Sequence, residues 1–132
     1  MTLVFDTSAL SALLSNDDTV VRALSRQDYD RLVIPLATDA EMRFGFINGT
    51  RAEENLANDD QLRQQFNLEI VSPDQDTATI YADLATWARQ HGVALSNNDV
   101  WIAATCLQLG GKLLALDQDF KRLPQIRVAK LP

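Results

Sequence analysis

Strand-length apolar runs alternate with helix-length amphipathic stretches along nearly the whole chain, and this alternation restricts the fold more than any other feature. Leu3-Val4-Phe5 stops at Asp6, Leu32-Val33-Ile34 at Pro35, Leu68-Glu69-Ile70-Val71 at Ser72-Pro73, and Lys112-Leu113-Leu114-Ala115-Leu116 at Asp117. A fifth run, Ile126-Arg127-Val128, lies near the C-terminus. Each is bounded by turn or polar residues, as strands are. Between them the spacing predicts helices over Ser8–Leu14, Thr19–Leu24, Leu36–Ile47, Arg51–Phe66, Thr77–Gln90 and Asn98–Leu109, the fourth with a break near Asn58. Ile80, Leu84 and Trp87 share one helical face. The stretch from Asn98 to Leu109 is apolar on most sides, as a helix packed deep against a sheet is, and Gly110-Gly111 supplies its stop. Strand–helix alternation gives an α/β fold: a three-layer α/β/α sandwich with a mostly parallel central sheet and right-handed crossovers. With 132 residues and no linker or repeat, one domain spanning 1–132 is expected.

Several classes of function are disfavoured. No apolar run is long enough to cross a bilayer, and the start lacks a basic segment followed by a long apolar one. A cytoplasmic protein with no membrane partner is expected. Cys106, the single cysteine, permits no intrachain disulfide and reads as a buried, inert thiol. His91, the single histidine, excludes a His pair and a zinc site, and at a helix end it can satisfy free carbonyls. No glycine-rich phosphate loop is present. The net charge of −6 argues against tight, non-specific nucleic-acid binding, though not against a nuclease whose acidic site is neutralised by divalent cations. It also suits a basic protein partner. Glu53, Glu54, Asp59 and Asp60 read as a solvated face, Trp87 and Trp101 as core or interface packing, and Arg43, Lys112, Lys121 and Arg122 as residues that could steer phosphates.

The acidic residues at element junctions carry more information. Asp6 ends the first strand and Asp117 the fourth, Asp99 opens the helix leading into that strand, and Glu41 lies in the helix after the second. In a parallel α/β sheet the C-terminal ends of strands and the N-terminal ends of helices share one edge, where open sheets bind ligands. Taken singly, Asp6 and Asp117 are good helix or turn caps, and Asp99, three after Ser96, fits a capping box. Capping does not account for Glu41, inside its helix and among Ala40, Met42 and Phe44. Nor does it account for convergence: clustered carboxylates repel one another and raise each other's pKa values unless a cation lies among them. Oxygen donors without His or Cys suit Mg²⁺ or Mn²⁺, ions that polarise phosphoryl oxygens and acidify water.

Val4-Phe5-Asp6-Thr7-Ser8-Ala9-Leu10 resembles the opening motif of PIN domains. Leu95-Ser96-Asn97-Asn98-Asp99-Val100-Trp101-Ile102-Ala103-Ala104 resembles their third motif, especially in VapC-type toxins, and Leu113-Leu114-Ala115-Leu116-Asp117-Gln118-Asp119-Phe120 resembles the fourth. Glu41, in Ala40-Glu41-Met42-Arg43-Phe44-Gly45, fits the second acidic position. The resemblance spans essentially the entire chain. It implies a divalent-metal endoribonuclease acting on RNA, the toxin of a pair opposed by a cognate antitoxin, and a homodimer. By carry-over, Asp6, Glu41 and Asp99 are the principal metal-site carboxylates, Asp117 completes the site, and Ser8 holds a water or the backbone turn. Ala115 departs from the Thr or Ser of many relatives, and Asp119 is the alternative fourth acid.

Two other readings compete. A PIN-like scaffold that only binds a partner would tolerate loss of the acids, yet all the expected positions are filled. An aspartyl-phosphate hydrolase also needs an aspartate after strand one, but Ser8 stands where haloacid-dehalogenase-like enzymes carry their second Asp.

Overall fold

A computed structural model describes residues 1–131. Four strands, β1 (Thr2–Phe5), β2 (Arg31–Pro35), β3 (Leu68–Val71) and β4 (Lys112–Leu114), form one sheet in the order β3-β2-β1-β4. All three pairings are parallel, with Val4 opposite Val33 and Leu113, and Val33 opposite Glu69. The helices are α1 (Thr7–Leu14), α2 (Asp18–Arg26), α3 (Leu36–Ile47), α4 (Ala52–Gln65), α5 (Gln75–Gln90) and α6 (Asn97–Gln108), followed by a 3₁₀ turn over Asp119–Arg122.

The strand alternation sorts the core into two halves. Leu3, Phe5, Leu32, Ile34 and Leu114 face one side and pack with Leu10 and Leu13 of α1, Val20 and Leu24 of α2, and Met42 and Phe46 of α3. Val4, Val33 and Leu113 face the other and meet Leu84 of α5 and Val100 and Ile102 of α6. Period-2 strands with both faces covered give the expected three-layer sandwich. The α6 sequence is apolar nearly all round because Val100, Ile102, Ala103, Ala104, Thr105 and Cys106 are all buried beneath α5 and the sheet. Cys106 is buried, and burial pushes its thiol up to about 12, as an inert core thiol requires. His91 ends α5, its Nδ1 2.8 Å from the Trp87 carbonyl and its ring stacked on the indole.

Four expectations are corrected. The fourth helix is unbroken at Asn58. It is also not simply a solvated acidic face: Asp59 is buried and ion-pairs with the buried Arg63 at 2.9 Å. The run Ile126–Val128 contributes one bridge, Leu113 to Val128, rather than a strand. β4 ends at Leu114 rather than Leu116, because Asp6 leaves the ladder to start α1 and the Leu116 N–H is bound instead by the Ser8 hydroxyl at 3.1 Å.

Candidate metal centre

The strand order reverses direction between β1 and β4: the chain moves outward from β1 through β2 to β3, then crosses to the other side of β1. Such a switch point leaves a crevice at the C-terminal edge, and Asp6 and Asp117 follow the two strands that flank it. Asp6 is the N-cap of α1 and accepts the Ala9 N–H at 2.8 Å. The Ser8 hydroxyl lies 2.8 Å from both Asp6 carboxylate oxygens while accepting the Leu116 N–H. One serine thus fixes the Asp6 carboxyl and ties the segment carrying Asp117 to it. Asp117 is exposed and accepts the Asp119 N–H at 2.7 Å, so it also caps the short turn that follows.

Two helices bring the remaining acids to this edge. α3 has no side-chain N-cap; instead Thr38, fully buried in its first turn, donates to the Phe5 carbonyl at 3.0 Å. That bond docks α3 on the end of β1, and Glu41 comes one turn later, half-buried. α6 is capped by Ser96, whose Oγ accepts the Asp99 N–H at 3.1 Å. The backbone bond that would complete a capping box is absent among the described residues, so the Asp99 carboxylate meets the cap only through the Ser96 hydroxyl.

The charges feel one another. Asp6 is 4% exposed, and its pKa rises from 3.8 to about 6, chiefly through burial and further through Asp117 and Asp99, against the bonds from Ala9 and Ser8. Burial also raises Asp99, with Glu41, Asp117 and Asp119 adding to it and the Ser96 hydroxyl opposing. All four expected acids therefore belong to one electrostatic cluster. Among the described residues none of them has an ion-pair partner. Neighbouring acids do: Asp39 is held by Arg63 at 2.6 Å and Arg43 at 3.0 Å, and Asp119 by Arg122 at 3.1 Å. Of the two candidates for the fourth position, Asp119 is paired with Arg122 and Asp117 is not.

This donor set fits a hard cation, being oxygen-only, partly desolvated and short of positive charge. Among the described residues no three carboxylates close on a point tightly enough to cage an ion unaided. Mg²⁺ does not need such a cage, since it retains several waters and is held through one or two carboxylates. Beside the cluster, between α3 and α6, lies a pocket of about 430 Å³ lined by Ala40, Glu41, Phe44 and Asn98. A second cleft of about 240 Å³ shares Ala40 and Asn98 and continues to Trp101 and Thr105.

Some neighbours differ from expectation. Of the apolar residues around Glu41, Met42 is buried but Phe44 is 70% exposed. Lys112 begins β4 and so lies at the opposite edge from the site, while Arg43 and Arg122 are engaged by Asp39 and Asp119. Sequence reading did not single out Thr38 or the Asp39–Arg63–Asp59 network. The i,i+4 spacings Asp39–Arg43 and Asp59–Arg63 were visible; the bridge from α4 to α3 is tertiary and leaves no local signal.

The sequence matches the model of the PIN domain over residues 3–126. It is similar to ribonuclease VapC1 of Haemophilus influenzae (strain 86-028NP), 25% identical over 130 residues, 96% of each chain. It is also similar to ribonuclease VapC4 of Mycobacterium tuberculosis, 29% identical over 111 residues, 79% of this chain and 84% of the relative. Among solved structures, VapBC2 from Rickettsia felis bound to a DNA fragment from its promoter has a chain that superposes with a TM-score of 0.90 at 22% identity, covering 100% of both chains. VapBC-1 from nontypeable Haemophilus influenzae gives 0.83 at 24% identity, covering 97% of this chain and 96% of that one.

Proposed function

The chain belongs to the PIN-domain family, and from that premise we propose that it is a divalent-metal-dependent endoribonuclease, the toxin of a toxin–antitoxin pair. The observation that carries this reading is the set of unpaired carboxylates gathered at the switch point of the sheet, beside an open pocket. The naming of similar chains as VapC ribonucleases, and of similar structures as VapBC complexes, supports RNA as substrate and an antitoxin as partner. Residues 1–132 act as one nuclease domain. No helix among the described residues is long and apolar enough to cross a membrane, and a toxin that cleaves cellular RNA acts in the cytoplasm. The resemblance that implies the antitoxin also implies a homodimer.

Asp6, Glu41, Asp99 and Asp117 are the residues that would hold Mg²⁺ or Mn²⁺. When bound, such an ion supplies Lewis acidity to a phosphoryl oxygen and makes a water more acidic. The chain's own contribution is placement. Ser8 orients the Asp6 carboxyl, and Leu116 bound to the same hydroxyl keeps Asp117 at hand. Thr38 sets the depth of α3 and hence of Glu41, which lines the pocket a substrate enters. Ala115, buried just after β4, brings no hydroxyl to the site; Ser8 supplies one to Asp6 and Ser96 one to Asp99. The net charge of −6 and the unpaired acids favour a basic antitoxin segment, with an Arg whose planar fork bridges carboxylates.

Incubation of the purified protein with a mixed RNA pool tests the reading. Internal cleavage should require added Mg²⁺ or Mn²⁺ and stop with EDTA. Cleavage indifferent to chelation would overturn the metal mechanism.

A further inference from the structure

The pocket beside Glu41 has a wall that catalysis does not use. Phe44 lines it, one turn beyond Glu41 on α3, and is 70% exposed, the most exposed large apolar side chain among the described residues. Asn98 lines the opposite side from α6, next to Asp99, and its amide makes no hydrogen bond within the described chain. An uncovered aromatic and a free amide, facing a pocket of about 430 Å³, match what an unpaired nucleobase needs. The ring offers a stacking surface, and the amide offers a donor and an acceptor to the base edge.

Electrostatics points the same way. Arg43 is committed to Asp39, and Arg122 to Asp119 and the Ala94 carbonyl. Lys112 lies at the far edge of the sheet. Of the basic residues near the site in sequence, Lys121 is the one that is neither ion-paired among the described residues nor placed at the far edge. A substrate anchored through its phosphates alone would meet more negative than positive charge here. A neutral base carries no such penalty.

We propose that the pocket lined by Ala40, Glu41, Phe44 and Asn98 binds one unpaired nucleobase of the RNA next to the scissile phosphate, with Phe44 as the stacking platform and Asn98 as the reader of the base edge. The proposal rests on the nuclease reading of the adjacent carboxylates, and its test is separable from that reading. Asp6→Asn protein is used as the background, so that binding is measured without cleavage. Its affinity for a fluorescent pool of short, unstructured RNA oligonucleotides is compared with that of the same protein carrying Phe44→Leu, Phe44→Trp or Asn98→Ala. Phe44→Leu should weaken binding by roughly 5- to 150-fold, the range of one base–aromatic stack, with no drop in melting temperature. Phe44→Trp should restore binding, and Asn98→Ala should flatten base preference in the bound fraction. Equal RNA affinity in Phe44→Leu and its background would overturn the proposal. Unchanged RNA affinity with loss of self-association or of antitoxin binding would do the same, and would assign this wall to a protein contact. Failure of the nuclease reading shows separately, as chelation-indifferent cleavage by the parent protein.

Discussion

Asp6 caps a helix with the same carboxyl that burial and its acidic neighbours push up to about 6. The sign of the consequence follows from linkage. A carboxyl whose folded pKa lies above its ordinary 3.8 favours the fold while it is protonated, and that contribution is lost as pH rises through about 6. The metal-free protein should therefore lose about 2–3 kcal/mol from this group between roughly pH 4 and pH 7, since a tenfold change in a proton's affinity is worth about 1.4 kcal/mol. Asp6→Asn keeps the cap, because asparagine caps about as well, and removes the charge. Urea melts in EDTA should show the variant about 1–3 kcal/mol more stable than the parent at pH 7 and nearly equal to it at pH 4. A variant less stable at pH 7 would contradict the assignment of Asp6 as a strained charge. Asp6 and Asp99 were legible in the sequence because each sits where an element changes type. Their burial was not, since it depends on which strands flank them. The exposure of Phe44 was hidden for a similar reason: a helix-periodic apolar residue reads as core until the neighbouring helix is seen to leave it uncovered.

At the scale of elements, α3 is tied to two neighbours just before Glu41. Thr38 ties it to β1, and Asp39 ties it through Arg63 to α4. Arg63 is only 9% exposed and bridges Asp39 and Asp59, each less exposed still. Arg63→Met would leave the buried Asp59 without its cation and Asp39 with only the more exposed Arg43, and should cost about 3–5 kcal/mol in a denaturant melt. Adding Asp39→Asn and Asp59→Asn should recover much of the loss. The Gly110-Gly111 pair divides its duties. Gly110 takes a left-handed backbone (φ +62) to end α6, whereas Gly111 is needed for space, because a Cβ there would stand 2.9 Å from the Thr2 carbonyl oxygen. Gly111→Ala should force β4 away from β1 and cost roughly 1–3 kcal/mol, again read in a denaturant melt; an unchanged midpoint would mean the strand edge is softer than the packing indicates. The bounds of α3 and β3 coincide with those read from sequence, because Pro35 and Ser72-Pro73 punctuate them sharply. β4 was read too long, since its apolar run continues to Leu116 while the pairing stops where β1 stops.

For the whole molecule, the parallel sheet and its switch point do what no single motif does: they place four sequence-distant acids at one edge. Strand–helix alternation made the layers and the edge legible. It could not give the strand order β3-β2-β1-β4, which sets Asp117 beside Asp6, nor the pocket between α3 and α6. Everything proposed for this edge depends on its acids forming a cation site rather than serving only as caps. Thermal melts of the parent, Asp6→Asn and Asp99→Asn proteins, each in EDTA and in excess Mn²⁺, decide between the two. A ligand that binds only the folded state stabilises by RT ln(1 + [L]/Kd), about 2.7 kcal/mol at ~100-fold over Kd. A cation site predicts a clear Mn²⁺-induced rise in the parent's Tm and the loss of most of that rise in both variants. Equal Mn²⁺-induced shifts in all three proteins would contradict it and leave Asp6 and Asp99 as helix-end residues without a metal.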